Sequence, residues 1–199
     1  MSRMSLIDSL RVLHDVRKGH HVVVSTMGPA REWMKLGSHS LDFIYAPSAM
    51  GEAPSLALGM SLAQPAKHVI VLNGDGCMLM NLGCLVTITA AAPVNYTLIV
   101  FDNSVYEVTG GQSTAAAPHA RPPGSSVDFC QIARGSGFAS VWEFTRLDDW
   151  RKHVAEVLAV RGPRVVVLKV EPVSGGAVPR SPAPPVERAQ HFAAALQRP

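Results

Sequence analysis

The stretch His68-Val-Ile-Val-Leu-Asn-Gly-Asp-Gly76 decides how the chain is expected to fold. It begins with a mostly apolar run, ends in Gly-Asp-Gly and is followed by a segment of helix length that is rich in Ala, Leu and Met. A short run of Val and Ile bounded by glycine is typical of a strand that is buried on both faces of a parallel sheet. The stretch therefore predicts a strand over His68–Asn73, a tight turn and a helix over Cys77–Ala91.

The same alternation continues on both sides of this stretch. Further apolar runs predict strands over His21–Thr26, Tyr96–Asp102 and Arg164–Val170. Segments of helix length predict helices over Met4–Arg17, Glu52–Ala63, Val127–Ser136 and Leu147–Val160. Strands that alternate with helices form right-handed βαβ units, so we expect an α/β fold, a doubly wound parallel sheet flanked by helices.

Two stretches interrupt the alternation. The segment Asn103–Ser126 is rich in Gly, Ser, Thr and Pro, and loops of this length are usually functional or disordered. Near the C-terminus, Pro-rich sequence leads into a predicted short helix over Val186–Leu196. We therefore assign residues 1–172 to a single domain and residues 173–199 to a C-terminal arm, which we expect to pack on a neighbouring chain.

Composition excludes several classes of protein. The 199 residues have room for one sizeable domain, and the net charge of +3 is spread without a run of like charges, which argues against nucleic-acid binding. No apolar stretch is long enough to span a bilayer, and the N-terminus lacks the apolar region of a signal peptide. Cys77, Cys84 and Cys130 form no C-x-x-C pair, which favours free thiols in a reducing compartment. We expect a soluble, cytoplasmic protein in which Cys84 and Cys130 are small apolar core residues.

Polar residues follow two of the predicted strands. Asp75 and Asn103 lie 28 positions apart (103 − 75), one helix and one strand from each other, at strand ends that would meet at one edge of the sheet. Mg²⁺ prefers oxygen ligands, and it commonly takes some of them from phosphates. The Asp75 carboxylate, the Asn103 amide oxygen and a nearby carbonyl such as that of Val105 would supply three, and the flanking Gly74 and Gly76 would let a phosphate approach the backbone.

These motifs resemble the cofactor signature of thiamine-diphosphate enzymes. The resemblance rests on Asn73-Gly-Asp-Gly76, Met80-Asn-Leu-Gly83, the run from Phe101-Asp-Asn103 to Thr109-Gly-Gly-Gln112, and Val170-Glu-Pro172. It covers nearly the whole chain and is strongest to the β chains of sulfopyruvate decarboxylases and the C-terminal halves of phosphonopyruvate decarboxylases. It implies the thiamine-diphosphate-binding fold, with thiamine diphosphate and Mg²⁺ as cofactors.

The resemblance also assigns roles to residues. It implies that Asp75, Asn103 and the carbonyl of Val105 bind the metal ion. Met50 would support the bent cofactor between its two rings, and Ser48 would accept a hydrogen bond from the aminopyrimidine. Cofactor contacts are implied for Thr26, Gly28, Ser48, Met50, Gly74, Asp75, Gly76, Cys77, Asn103, Val105 and Tyr106.

The implied activity is decarboxylation of a small 2-oxo acid, as one subunit of a two-chain enzyme. In the family, a glutamate on a separate pyrimidine-binding domain activates the cofactor, so we expect a companion α chain and an α2β2 or larger hetero-oligomer. No catalytic residue of this chain is identified. His119, in the long loop, and Glu52, where relatives carry an apolar residue, are candidates, and Glu107 and Gln112 lie where a substrate could come near.

Three alternatives use the same fold. A carboligase or lyase subunit would share the cofactor chemistry, and the sequence does not separate it from a decarboxylase. The β chain of a ferredoxin-linked 2-oxo-acid oxidoreductase would need cluster-binding cysteines, which three scattered ones do not provide. A non-catalytic regulatory protein would bind the cofactor without turnover.

Overall fold

A parallel sheet forms the centre of the molecule. The structure, a computed structural model, describes residues 3–45, 50–123, 125, 127–173 and 183–198. In chain order the strands are β1 (His21–Thr26), β2 (Asp42–Tyr45), β3 (His68–Gly74), β4 (Tyr96–Asp102), β5 (Val105–Tyr106), β6 (Gln112–Ser113), β7 (Ser140–Phe144) and β8 (Arg164–Lys169). Strands β5 and β6 form a separate antiparallel hairpin, and the others form a six-stranded parallel sheet in the order β2-β1-β3-β4-β8-β7.

Helices cover both faces of this sheet. They are α1 (Leu6–Asp15), α2 (Met27–Trp33), α3 (Ala53–Ala63), α4 (Asp75–Met80), α5 (Cys84–Ala91), α6 (Phe129–Gly135), α7 (Leu147–Ala159) and α8 (Pro185–Leu196). Apolar residues of α1, α2 and α7 pack on one face, and those of α3, α4, α5, α6 and α8 pack on the other. The predicted doubly wound α/β fold is confirmed.

The central strands supply side chains to both cores. Along β3, Val69 and Val71 join the core that contains Ile88 of α5, whereas Ile70 and Leu72 join the core that contains Trp150 of α7. Successive strand residues point to opposite faces, so a continuous Val and Ile run fills both layers. Each such side chain stabilises the fold by about 1.5 to 3 kcal/mol when it is fully buried.

The strand order creates a crevice between β1 and β3. From β1 the chain runs through α2 on one face to the edge strand β2, and it returns through α3 on the opposite face to β3. Ligands of open parallel sheets collect beyond the carboxyl ends of the strands at such a reversal of strand order. The segments that begin at Met27, Asp75 and Asn103 all leave the sheet at this edge.

Three elements of the main α/β layers were missing from the sequence prediction, besides the β5–β6 hairpin within the predicted long loop. The four predicted strands are confirmed, but β2 and β7, at the two edges of the sheet, and the short helix α2 were not predicted. The edge strands are short and only partly buried, so their sequences lack the continuous apolar run of the central strands. The predicted single helix over Cys77–Ala91 is wrong, because the chain leaves helical geometry at Asn81 and a new helix begins at Cys84.

The last helix lies against its own chain. Phe192 packs on Phe43 of β2 with ring centroids 4.8 Å apart, and the Arg188 side chain donates to the carbonyl of Ile44 at 2.8 Å. Phe192 and Ala195 are buried in the core on that face of the sheet. The apolar face of α8 therefore covers the edge strand β2 of its own chain, and packing of the arm on a neighbouring chain stays a prediction.

Two further expectations concern the cysteines and the membrane. Cys77, Cys84 and Cys130 are free and buried, and Cys84 and Cys130 belong to the apolar core, as predicted. Burial raises the pKa of both of these thiols to about 11. Within the described ranges, no helix is both long enough and apolar enough to span a membrane.

Candidate functional site

A narrow cleft lies at the carboxyl edge of the sheet, where β1, β3 and β4 end. Most of the predicted cofactor residues line it, namely Gly28, Met50, Gly74, Asp75, Gly76, Cys77, Asn103, Val105 and Tyr106. Ser48 lies outside the described residues. The lining also includes Leu6, Met27, Pro29, Phe101, Glu107, Val108 and Thr109, to which the sequence assigned no cofactor contact.

Asp75, at the start of α4, is the buried acid of this cleft. Its side chain is 1% exposed, and its carboxylate accepts hydrogen bonds from the Thr114 hydroxyl at 3.1 Å and from the backbone N–H groups of Gly76 and Asn103. Burial, and then the neighbouring Asp102 carboxylate, raise the pKa of Asp75 to about 6. A buried carboxylate with a raised pKa favours a nearby cation, because a cation stabilises its ionised form.

Asn103 meets Asp75 from the end of the adjacent strand. Its backbone N–H donates to Asp75, its side-chain oxygen accepts the Val105 N–H at 3.0 Å, and its side-chain nitrogen donates to Glu107 Oε1 at 2.7 Å. The side chains of Asn103 and Asp75 therefore both lie at the carboxyl edge of the sheet, in the lining of the cleft. Amide and carboxylate oxygens are suitable ligands for a hard divalent cation.

Polar contacts with Arg3, Asp102 and Lys169 fix the backbone just after β4. Ser104 has a positive φ of 66°, and its hydroxyl donates to Asp102 at 3.2 Å. Arg3 donates to the carbonyl of Asn103 at 2.8 Å and to the Ser104 hydroxyl at 2.7 Å. Lys169 pairs with Asp102 at 2.7 Å. These contacts hold the sharp turn that carries Asn103 away from the sheet and into the cleft.

Two glycines allow very close approach to the backbone. A Cβ atom on Gly28 would lie 2.7 Å from Glu107 Oε2, and one on Gly76 would lie 2.5 Å from a ring carbon of Tyr106. Real Cβ atoms do not make contacts this short, so larger residues would push these side chains out. The free volume of the cleft is about 40 Å³, enough for about three water molecules. Glu107 and Tyr106 therefore fill much of the space beside the two glycines.

Several buried polar atoms near these strand ends lack partners. Thr26 Oγ1, at the end of β1, and Asn73 Oδ1, just before Gly74, have no hydrogen-bond partner among the residues that the structure describes. A buried polar atom without a partner costs about 1 to 3 kcal/mol. A polar ligand that binds at these strand ends would supply the hydrogen bonds that the two atoms lack.

The segment around Met50 forms one wall of the cleft. Gly51 has a φ of 89°, and a Cβ atom there would lie 3.1 Å from the side chain of Asn81. Asn81 in turn donates to the carbonyl of Gly51 at 3.1 Å. Asn81, in the break between α4 and α5, thus positions Gly51. The preceding residue, Met50, lines the cleft together with Cys77.

The two candidate catalytic residues do not reach this cleft. Glu52 is exposed at the start of α3, and His119 is exposed in the long loop, where its Nε2 lies 2.5 Å from Ser113 Oγ. Neither lines the cleft. Glu107 does, with its side chain 6% exposed, and it pairs with Arg31 of α2 at 3.2 Å. Arg31 was not singled out from the sequence, because α2 was not predicted.

The residues present fit a metal-bound diphosphate better than a metal alone. No three His, Cys, Asp or Glu side chains are grouped to hold a metal within the described part of the chain. Asp75, Asn103 and the carbonyl of Val105 offer oxygen ligands, and a six-coordinate cation would take the rest from a ligand and water. Gly28 and Gly76 allow the close backbone approach that phosphates need, which Glu107 and Tyr106 make in this structure. Thr26 Oγ1, at the end of β1, has no hydrogen-bond partner among the described residues.

Comparisons with known proteins agree with this geometry. Phosphonopyruvate decarboxylase of Streptomyces viridochromogenes is 36% identical over 189 residues, which are 95% of this chain and 45% of that protein. The β subunit of sulfopyruvate decarboxylase of Methanocaldococcus jannaschii is 34% identical over 152 residues, 76% of each chain. The chain thus spans less than half the length of the phosphonopyruvate decarboxylase and most of the length of the sulfopyruvate decarboxylase β subunit.

The fold is also shared with a solved structure. A thiamin diphosphate-dependent enzyme from Mycobacterium smegmatis superposes with a TM-score of 0.68 at 21% identity, over 86% of this chain and 32% of that one. Residues 22–168 match the family described as the C-terminal TPP binding domain of thiamine pyrophosphate enzymes. The family resemblance predicted from the sequence is therefore confirmed, and the chain belongs to the thiamine pyrophosphate enzymes as a C-terminal cofactor-binding domain.

Proposed function

We propose that this chain is the β subunit of a two-chain, thiamine-diphosphate-dependent decarboxylase of small 2-oxo acids. One observation carries the proposal. The Asp75 carboxylate accepts the backbone N–H of Asn103 at the ends of adjacent strands, beside two glycines whose backbone other groups approach very closely. The similarity to sulfopyruvate and phosphonopyruvate decarboxylases supports a 2-oxo acid with a second anionic group as the substrate class.

The residues of this chain would bind and orient the cofactor. Asp75, Asn103 and the carbonyl of Val105 would hold Mg²⁺, which would favour the ionised form of Asp75 despite its burial. When bound, thiamine diphosphate supplies the electron sink for the electron pair that remains when carbon dioxide leaves a 2-oxo acid. Met50, on the wall of the cleft, would support the cofactor rings, and the buried walls would limit access of water.

A companion chain with the pyrimidine-binding domain would complete the site. Met80 and Val108, which lies in the cleft lining, are large apolar side chains with exposures of 55% and 60%. Exposed apolar groups beside a cleft are typical of a surface that another domain covers. The similarity to separate β subunits supports a companion on a second polypeptide, in an α2β2 or larger assembly with symmetric contacts.

The test is reconstitution of the two-chain enzyme. The chain is co-expressed with the pyrimidine-domain chain that is expected beside its gene, and carbon dioxide release is followed from a panel of 2-oxo acids with thiamine diphosphate and Mg²⁺. We expect release only when both chains are present. Asp75→Ala should abolish it, whereas Asp148→Ala, which removes an exposed carboxylate paired with Arg151, should leave it unchanged.

Other outcomes separate the alternatives. A complex that binds the cofactor but releases no carbon dioxide would contradict the decarboxylase. Product formation only after an aldehyde is added would then identify a carboligase, and no product under any condition would favour a regulatory protein. A chain that binds no thiamine diphosphate, with or without its companion, would contradict the proposed function as a whole.

A further inference from the structure

The carboxylate of Glu107 occupies a binding site built from three segments of the chain. Its Oε2 accepts from Arg31 Nη2 at 3.2 Å, and its Oε1 accepts from Asn103 Nδ2 and from the backbone N–H of Val173, each at 2.7 Å. The side chain is 6% exposed. Its Oε2 also lies against Gly28, so close that a Cβ atom there would clash at 2.7 Å.

These donors suit a phosphoryl group as well as they suit a carboxylate. Guanidinium, amide and backbone N–H groups are the usual donors to phosphate oxygens, and arginine binds carboxylate and phosphate with the same planar arrangement. One of the three, Asn103, is also the expected metal ligand through its other side-chain atom. The donor set thus lies next to the position where a metal-bound diphosphate is expected.

The neighbouring charges leave Arg31 available to another anion. Arg31 donates from Nε to Glu32 at 3.0 Å, and Lys35 also pairs with Glu32 at 2.7 Å. Glu32 therefore keeps a cation of its own if Arg31 changes partner. Arg31 is only 7% exposed, and a buried guanidinium needs anions beside it, which in this structure are Glu32 and Glu107.

We propose that Arg31 is a further diphosphate-binding residue, and that Glu107 holds its place until the cofactor binds. This inference rests on the proposed function, since it places the diphosphate in the cleft. The Glu107 carboxylate fills the space against Gly28 and accepts from the Asn103 side chain, so a diphosphate can take this position only when Glu107 leaves. The apparent cofactor affinity is then the intrinsic affinity multiplied by the fraction of chains in which Glu107 has left the site.

Calorimetric titration of the whole chain with Mg²⁺ and inorganic pyrophosphate, and separately with Mg²⁺ and thiamine diphosphate, tests the proposal. Glu107→Gln keeps the shape of the side chain and removes its charge, so we expect it to tighten binding of both ligands by about tenfold. Arg31→Gln should weaken binding of both by about tenfold. Glu107→Ala serves as a second variant, and it should tighten binding in the same direction.

Thermal unfolding supplies the matched readout. Without ligand, Glu107→Gln should lower the unfolding temperature, because buried Arg31 loses one of its two anions. With saturating Mg²⁺ and pyrophosphate, the variant should regain more stability than the wild type does. A purely structural ion pair would instead lower the unfolding temperature and leave the affinity unchanged or weaker, and that result in both Glu107 variants would overturn the proposal.

Asp75→Ala separates this failure from failure of the proposed function. If wild-type binding disappears in Asp75→Ala but is unchanged in Glu107→Gln, the metal and diphosphate site stands and only the role of Glu107 is contradicted. If neither the wild type nor Glu107→Gln binds either ligand, both alone and with the companion chain, the proposed function and this inference both fail.

Discussion

Polar side chains are buried both where the parallel strands begin, here called the amino edge of the sheet, and where they end, the carboxyl edge. Burial shifts the pKa values of these side chains in opposite directions at the two edges. At the amino edge, His21 and His68 lie side by side with ring centroids 4.9 Å apart, and His68 is 2.8 Å from the Thr97 hydroxyl. Burial, with the positive charges around them, lowers the pKa of His21 to about 4 and that of His68 to about 3. At the carboxyl edge, burial and Asp102 raise the pKa of Asp75 to about 6.

This difference separates a structural site from a binding site. The imidazoles at the amino edge are kept neutral, and a neutral group can be buried at modest cost when it is hydrogen-bonded. At the carboxyl edge, Asp75 and Asp102 lie close together, and Gly28 and Gly76 let the side chains of Glu107 and Tyr106 approach the backbone. Lys169 pairs with Asp102, whereas Asp75 pairs with no cation among the residues that the structure describes, so its buried carboxylate indicates a ligand that carries a cation.

The largest expected effect is that of Asp75→Asn. The variant should weaken Mg²⁺-dependent binding of thiamine diphosphate by about 100-fold or more, because it removes the charged ligand. It should also raise the free energy of unfolding at pH 7 by about 1 kcal/mol. A carboxyl group whose pKa is raised in the folded state stabilises the fold at low pH and loses that contribution as pH rises from about 4 to 6, so ionised Asp75 is a net cost at pH 7.

Calorimetry and chemical denaturation measure the two quantities for Asp75→Asn. The control is Asp148→Asn, which changes an exposed carboxylate in the same way. A variant that binds the cofactor normally would show that Asp75 is not a metal ligand. A variant that binds poorly and is also less stable would show that Asp75 has a structural role like that of the polar groups at the amino edge.

A matched pair of threonines compares the two edges directly. Thr114 and Thr97 are both fully buried, and each hydroxyl bonds a titratable side chain, Asp75 at 3.1 Å and His68 at 2.8 Å. Thr114→Val and Thr97→Val should each lower the free energy of unfolding by about 1 kcal/mol. Only Thr114→Val should weaken Mg²⁺-dependent cofactor binding, by about tenfold, because Thr114 orients the metal ligand.

Titration of Mg²⁺ at a fixed concentration of thiamine diphosphate gives the relevant affinity for both threonine variants. Equal effects of Thr97→Val and Thr114→Val on that affinity would mean that cofactor binding reports only the general stability of the sheet. In that case the contrast between the two edges would not hold.

The pH dependence of stability tests the amino edge. His68 should stay neutral in the folded chain, where Arg164, His21, His20 and Lys18 oppose its protonation, but it takes up a proton near pH 6.5 when the chain unfolds. The contribution of neutral His68 to the free energy of unfolding is thus complete above pH 6.5. It is lost as pH falls toward 3, by up to about 1.4 kcal/mol per pH unit. His68→Gln should make the free energy of unfolding less dependent on pH between 6.5 and 4.

Denaturant unfolding at several pH values measures this slope. The difference between wild type and His68→Gln at pH 7.5 gives the packing cost of the substitution, since both side chains are neutral there. Parallel curves over the acidic range would show that His68 is protonated as readily in the folded chain as in the unfolded one.

The central sheet could be predicted from sequence because its signal is local. Runs such as His68–Asn73 and Tyr96–Asp102 have enough consecutive apolar residues to identify buried strands, and Asp75 and Asn103 follow them directly. The strands Asp42–Tyr45 and Ser140–Phe144 are only partly buried and take their conformation from pairing with a neighbour. Their few strand-favouring residues, such as Phe43, Ile44 and Trp142, form runs too short to identify a strand by periodicity.

The parts of the candidate site that depend on distant contacts could not be predicted. Arg31 reaches Glu107 across 76 positions, and Thr114 reaches Asp75 across 39. A predicted long loop does not reveal which of its residues fold back onto the sheet. Glu52 and His119 were suspected because they are close in sequence to the motifs, but the backbone carries both away from the cleft.

The smallest expected effect on stability concerns two exposed valines, one near each edge. Val108 lines the cleft at the carboxyl edge and is 60% exposed, and Val94 lies just before β4 at the amino edge and is 41% exposed. Val108→Ser and Val94→Ser should each change the free energy of unfolding by less than about 0.5 kcal/mol, as surface substitutions usually do. If the companion chain covers the cleft, Val108→Ser should weaken assembly several-fold, because it removes apolar area from the interface, and Val94→Ser should not.

Sedimentation of the co-expressed chains without cofactor measures assembly separately from ligand binding. Equal assembly of both variants would mean that the companion docks elsewhere and that the exposed apolar side chains at the carboxyl edge do not form its interface.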